Sequence, residues 1–346
     1  MESTFLDLDL DPHTAILIAL ARAEDQVSRL DERARVSAVR VGWLARTDFR
    51  EASAWAWNKG RSAPIEDLVL HDAQADVRAP DQALTQAYEA FRARRKATVG
   101  GPELISWRGA VWLAGRVRAA PPSGPRPTTT MPGAKAGRPS GEMLAVLAVL
   151  FARLLAARTT DDPRASFEDW TEVIDALEGE VPPLLTAAAA LEAWRIIDPL
   201  PQQSFVGPLL VGRWLVAQGR VRMGLFPFEA GRRKGGPFTR ALEHGPLAAR
   251  LCYWLTAMER AAESGVEELR QLDLARQVLE HRLVGRRATS KAAALITLLL
   301  SQPVVTAATV ASRLKVSQQA ARGLITSLGA SLTEISGRRR YRAWRV

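Results

Sequence analysis

Residues 302–328 read Gln302-Pro303-Val304-Val305-Thr306-Ala307-Ala308-Thr309-Val310-Ala311-Ser312-Arg313-Leu314-Lys315-Val316-Ser317-Gln318-Gln319-Ala320-Ala321-Arg322-Gly323-Leu324-Ile325-Thr326-Ser327-Leu328. Pro303 stops whatever helix precedes it, because proline lacks the amide that a helix interior needs. Val304-Val305 suits a short strand. Thr306 is a good N-cap, and Ala307–Leu314 predicts a helix behind it. Lys315-Val316 makes a turn. Ser317 caps again, and Gln318–Leu328 predicts a further helix. Val310, Leu314, Val316, Ala320, Leu324, Ile325 and Leu328 form the expected small core. Upstream, Ser290–Ser301 predicts a helix with Ala294, Leu295, Leu298 and Leu299 inward. Downstream, Leu332–Ile335, a polar turn at Ser336-Gly337-Arg338 and Arg340–Trp344 predict a hairpin with a basic tip.

Helix, helix, recognition helix, hairpin is the order of a winged helix-turn-helix, and its expected partner is double-stranded DNA. Ser317, Gln318, Gln319 and Arg322 lie near the start of the recognition helix, where base edges in the major groove are met. Gln319 and Arg322 are three apart and share a face. Arg338, Arg339, Arg340 and Arg342 on the wing suit phosphates or a minor groove. Charge agrees. The chain of 346 residues carries 47 Lys/Arg and 37 Asp/Glu. Eleven of the bases and one of the acids follow residue 285, so the rest holds 36 of each. A neutral body with a basic end favours a polyanion at that end.

The fold expected for the whole is mainly α, a multi-helix body with a C-terminal winged helix-turn-helix. Apolar residues make up 47%, enough for a substantial core. Four segments follow from composition: an N-terminal helical region 1–118, a Pro/Gly-rich linker 119–141, a second helical region 142–285 and the DNA-binding domain 286–346. Asp11-Pro12 opens the first helix, with a face of Ile16, Leu17, Leu20, Ala23, Val27 and Leu30. Further helices are expected over 33–45, 48–57, 81–96, 141–158, 167–178, 182–197, 205–218, 247–264 and 266–283. Residues 107–117 predict a broken helix. Gly231–Gly236 reads as a basic loop. Trp55 and Trp57 are two apart and cannot share a helix face, yet core packing is expected for both. The single cysteine, Cys252, fits a reducing compartment and a buried apolar role. Met1–Asp11 carries acids rather than a basic start and an apolar run, so no signal peptide is expected. The stretch 143–155 is too short to span a bilayer. A soluble, cytoplasmic protein with no membrane partner is expected. His13, His71, His244 and His281 lack metal-ligand spacing, so no metal and no cofactor are expected.

Residues 295–344 resemble the C-terminal winged helix that follows the catalytic core of many Fic-type AMP-transferases. The matching phrases are Gln302–Thr306, Val310-Ala311, Leu314, Val316-Ser317, Ala320 and Gly337–Arg340. Nearly the whole chain resembles a family of uncharacterised bacterial proteins that pair a domain of unknown function with a helix-turn-helix DNA-binding domain. Ile65–Ala73 and Asp198–Ser204 carry much of that match. The Fic resemblance implies a catalytic loop reading His-Pro-Phe, then an acid and Gly-Asn-Gly-Arg. The corresponding stretch here is Asp198–Leu210. Asp198 stands where the histidine should be, and no Gly-Asn-Gly-Arg follows. An aspartate with an ordinary pKa of about 4 is a weak base at neutral pH. Without the glycines and arginine, the phosphates lose their cradle. The resemblance therefore implies a degenerate Fic-like scaffold with no catalytic residues. A DNA-binding regulator of transcription or of a plasmid is expected, with a homodimer and a protein or small-molecule effector left open as partners. The alternatives are a divergent Fic-like nucleotidyl (AMP) transferase and an interaction scaffold of antitoxin type.

Overall fold

The computed structural model describes residues 11–74, 76, 79–121, 123–124, 142–157, 162–281, 290–328, 332–334 and 343–345. The chain is mainly helical. In order, α1 is Pro12–Val36, α2 Arg40–Asn58, α3 Ile65–Asp72, α4 Gln82–Val99, α5 Trp107–Leu113, α6 Glu142–Ala157, α7 Pro163–Leu177, α8 Pro183–Ile197, α9 Val206–Ala217, α10 Phe228–Gly235, α11 Arg240–Glu243 and α12 Leu247–His281. The C-terminal part adds α13 Ser290–Ser301, β1 Val305–Thr306, α14 Ala307–Leu314, α15 Gln318–Leu328, β2 Thr333–Glu334 and β3 Ala343–Arg345. Most of the linker 119–141 lies outside the described residues.

Local chemistry sets the ends. The Asp11 carboxylate accepts the amides of His13 at 3.0 Å and Thr14 at 3.1 Å, which starts α1. The first break then falls later than the sequence suggests. Helix α1 runs on to Val36, and Ser37 Oγ accepts the Val39 amide at 3.2 Å in the turn before α2. The expected stop near Thr47-Asp48 does not occur: α2 is one continuous helix, and the buried Thr47 satisfies its hydroxyl by donating back to the Trp43 carbonyl at 2.8 Å. Trp55 is buried at 3% exposure, whereas Trp57 is 40% exposed. One tryptophan packs and the other faces out, as a spacing of two on a helix requires. The expected pair 247–264 and 266–283 is one 35-residue helix, α12. Gly265 does not break it. A Cβ there would stand 2.8 Å from Leu30 Cδ1 and 3.1 Å from the Trp43 ring, so the glycine makes room for neighbours.

Contacts group the chain into two compact units. The first holds Met1–Arg29 and Arg92–Glu263, the second Leu30–Phe91 and Ser264–Val346. In the first, α8 is the central helix. Its Ala187–Ala190 run is fully buried, and α7 and α9 lie against it. The Trp170 indole donates to the Ala190 carbonyl at 2.8 Å and meets the Trp194 ring edge-on at 5.0 Å. A charged cluster sits inside this apolar packing. Glu192 is fully buried and accepts from Arg195 at 2.8 Å and from the Trp254 indole at 3.0 Å; its Oε1 lies 2.7 Å from Arg250 Nε. Asp198 closes α8 in a left-handed conformation, φ 49°, with its amide donated to the Trp194 carbonyl.

The expected loop at Gly231–Gly236 is instead mostly the last turn of α10. Arg232 reaches back one turn to Glu229 at 2.9 Å and stacks over the Trp254 ring at 5.0 Å, which holds the turn helical. Burial works against the Arg232 charge, but Glu229 and Tyr253 outweigh it and lift its guanidinium above the ordinary value. Cys252 is half-buried, and burial pushes its thiol up to about 11. That fits a packing role, since the reactive species is the thiolate.

In the second unit, α2 is central. Phe49 stacks on Phe91 at 4.3 Å, and the fully buried Trp43 donates its indole N–H to Glu268 at 3.1 Å. Arg50 pairs with the same carboxylate, and Ser264 donates to it at 3.0 Å. No helix among the described residues is long and apolar enough to cross a membrane.

Candidate nucleic-acid interface

Helices α13, α14 and α15 build the C-terminal module, and at its end β3 returns beside β1 with β2 on its other side. The sheet order is β1-β3-β2, all antiparallel, with Val305 opposite Trp344 and Thr333 opposite Arg345. Thr306 joins strand to helix. Its hydroxyl accepts the Thr309 amide at 3.0 Å and caps α14.

The turn between α14 and α15 is three residues long. Lys315 takes φ 52°, and both it and Val316 donate their amides to Ala311 O, Val316 at 3.1 Å. Both bonds converge on one carbonyl, that of Ala311, near the end of α14. Lys291, on α13, supplies another cap by donating to the Leu314 carbonyl at 2.7 Å. No local signal marks that role, which depends on a contact 23 residues away. Ser317 Oγ then accepts the Ala320 amide at 3.1 Å and starts α15.

Burial fixes which side of α15 faces out. Ala321, Ile325 and Leu328 are buried, at spacings of four and three, as are Val310 and Leu314 on α14, against which α15 packs. Leu324 and Val316 are half-buried, and Ala320 is exposed. The expected inward alanine is thus Ala321 rather than Ala320. The structure brings Ser317, Gln318, Gln319 and Arg322 together on the exposed start of α15. Gly323 and Thr326, which the sequence reading passed over, extend the same exposed surface. A Cβ at Gly323 would have nothing within 4 Å. The wing residues Arg338, Arg339, Arg340 and Arg342 lie outside the described residues.

Helix α13 is buried on two faces, which explains a second correction. Ala294 is exposed, while Ile296 and Leu300 are buried along with Leu295, Leu298 and Leu299. One face serves α14 and the other rests on α2. The α2 backbone comes close at Gly42, where a Cβ would stand 2.9 Å from the Leu300 carbonyl oxygen. One turn on, Arg46 donates to the carbonyls of Leu300 at 2.8 Å, Leu299 at 2.9 Å and Gln302 at 2.9 Å. The guanidinium thereby caps the C-terminal end of α13, where cations are favoured. Burial, aided by Arg50 and opposed by Glu268, pushes Arg46 down to about 10, so it stays charged at neutral pH.

Comparison with known proteins bears on the same stretch. The model of an HTH DNA binding domain matches residues 293–346. A protein of unknown function (DUF1612) is matched by residues 160–284. The uncharacterized protein y4cF of Sinorhizobium fredii (strain NBRC 101917 / NGR234) is 32% identical over 383 aligned positions, which cover 96% of this chain and 97% of that relative.

Proposed function

Because the chain belongs to the y4cF-like family that joins a DUF1612 domain to a C-terminal HTH DNA-binding domain, we propose that it is a cytoplasmic regulator, of transcription or of a plasmid, that reads duplex DNA with α15. The observation that carries this reading is the exposed start of α15. Two glutamines and an arginine project there from a helix whose opposite face is core. Arginine pairs with guanine and glutamine with adenine at major-groove edges. The strands beside the helices favour a winged form, whose arginines 338–340 and 342 would lie on phosphates. Gly323 fits the same picture. A glycine inside a helix costs about 1 kcal/mol relative to alanine, and no neighbour requires it here. A bare backbone at that point lets a DNA strand come close.

We also read the body as non-enzymatic. Asp198 serves as a helix terminator, and Gly-Asn-Gly-Arg is missing after it.

The test is fluorescence anisotropy on full-length protein. With random-sequence duplex at several salt concentrations, roughly four to six neutralised phosphates give a log–log slope of about −4 to −5. On a duplex enriched by selection, Arg322→Ala is expected to weaken binding roughly ten- to a hundredfold, with Gln319→Ala somewhat milder. A flat salt dependence, or an Arg322→Ala protein that binds as tightly as the parent, would sink the reading. Gly323→Ala separates stability from recognition. It is expected to raise the unfolding free energy by about 0.5–1 kcal/mol while weakening DNA binding. An alanine variant that is more stable and binds unchanged removes the glycine from the interface.

A further inference from the structure

In the second unit, the end of α1 and the later turns of α12 wall a hollow of about 590 Å³. That is the size of a small-molecule site. Arg33, Val36 and Ser37 stand on one wall. On the other, Arg270, Asp273, Leu274 and Gln277 share a face of α12 at spacings of three, one and three, with Arg276 beside them. The Ser37 hydroxyl donates to Asp273 at 3.4 Å and joins the two walls. The folded chain leaves the apolar part of this lining wet: Val36 is 71% exposed and Leu274 59%. Single exposed apolar residues need no explanation, but two on facing walls of one hollow suit a ligand with an apolar body.

The polar part of the lining sets the charge of that ligand. Three guanidiniums stand against one carboxylate, Asp273, which the Ser37 hydroxyl already engages. A guanidinium carries five N–H donors. Arg270 uses Nε and Nη2 on Glu267, and Arg276 uses Nη1 on Glu280, neither acid being part of the lining. Arg276 Nε is shut off from solvent and has no hydrogen-bond partner among the described residues. Arg33 feels the charge of Glu267 but forms no ion pair among the described residues. With Glu267 and Glu280 counted, bases and acids balance, so directed N–H donors rather than a net field would hold an anion here. The helix ends that meet in the turn, the last of α1 and the first of α2, carry opposite charges of about one half and largely cancel. We propose that this hollow binds a small organic anion: one carboxylate, sulfonate or phosphate group on an apolar body. The acid group lies among Arg33, Arg270 and Arg276, and the body covers Val36 and Leu274. The hollow sits at the root of α2, whose Gly42 and Arg46 seat α13, so it gives the regulator reading a place for its effector. The site is tested without DNA, and either reading can fail alone.

Anilinonaphthalenesulfonate has this chemistry, and its fluorescence rises in apolar surroundings. Titrated with full-length protein, it should saturate with a dissociation constant on the order of tens of micromolar. Arg33→Ala should weaken the sulfonate by about fivefold or more and leave its neutral parent, phenylnaphthylamine, unchanged. Leu274→Gln should weaken both dyes. Val149→Gln, at an exposed apolar residue of the first unit, should weaken neither. Thermal unfolding of all three variants should stay near the parent's, since each side chain faces out. Sulfonate fluorescence that never saturates overturns the proposal. So does binding that ignores Arg33→Ala, which would leave an apolar patch without an anion site. Binding that ignores Leu274→Gln, or that is lost with Val149→Gln, places the dye on another surface and overturns it as well.

Discussion

Glu192→Ala is expected to destabilise the first unit by about 3–5 kcal/mol, the usual loss when one member of a buried ionic group is removed. The carboxylate has no exposed surface. Removing it takes the nearest carboxylate from Arg195, which keeps Glu243 at 3.4 Å, and from Arg250, which keeps the Gly245 carbonyl; their side chains are only 24% and 12% exposed. It also strands the Trp254 indole N–H, which now donates at 3.0 Å. Glu192→Gln should fall between parent and alanine variant, since an amide oxygen still accepts from Trp254 but cannot neutralise two arginines. Urea denaturation of the three proteins measures the differences. A loss below about 1 kcal/mol for the alanine variant would mean that water reaches the arginines and that the cluster behaves as a surface ion pair.

Arg46→Ala is expected to cost about 3 kcal/mol in the second unit, from charge-assisted hydrogen bonds lost and carbonyls left without donors. Three carbonyls depend on this one side chain, those of Leu299, Leu300 and Gln302. Arg46→Lys should recover little, because a single ammonium cannot fork across them. Amide hydrogen exchange gives the specific readout. The last turn of α13 should lose protection in both variants, ahead of α14 and α15. Unchanged exchange in that turn would show that water can take over the cap.

The DNA-binding module was the most legible part of the chain because every signal in it is local. Pro303, the Thr306 cap, the Ser317 cap and the spacing of Val310, Leu314, Ile325 and Leu328 are all read within a few residues of one another, and the elements fall where those signals put them. The errors there have a different origin. Ala320 and Ala294 were expected inward, yet Ala321 and Ile296 are buried instead. An alanine weighs too little to orient a helix by itself, and α13 has a second buried face because α2 covers it. That contact links residues more than 250 positions apart, as in Arg46 with Leu300.

The body was less legible for the same reason. Gly265 looks like a stop until Leu30 and Trp43 are seen beside it. Gly231–Gly236 looks like a solvated loop until Arg232 is seen held by Glu229 and Trp254. The buried Glu192 cluster left no mark at all, since glutamate and arginine three apart on a helix usually signal a solvated surface. The residues proposed to read DNA were found through motif and charge. Lys291, Gly323 and Thr326 escaped because nothing in their immediate neighbourhood distinguishes them.

The seat of α13 on α2 has a consequence for how such proteins can be assembled from parts. Residues 286–346 look like a transferable cassette in one dimension. In three, its first helix would arrive at a new host with one apolar flank bare and three carbonyls missing their donor. Gly42 and Arg46 would have to travel with it, although some 240 residues lie between them and the cassette. Recombination at the domain boundary therefore moves only half of the folding unit. A host that receives residues 286–346 without α2 would need some other cover for that flank and other donors for those carbonyls.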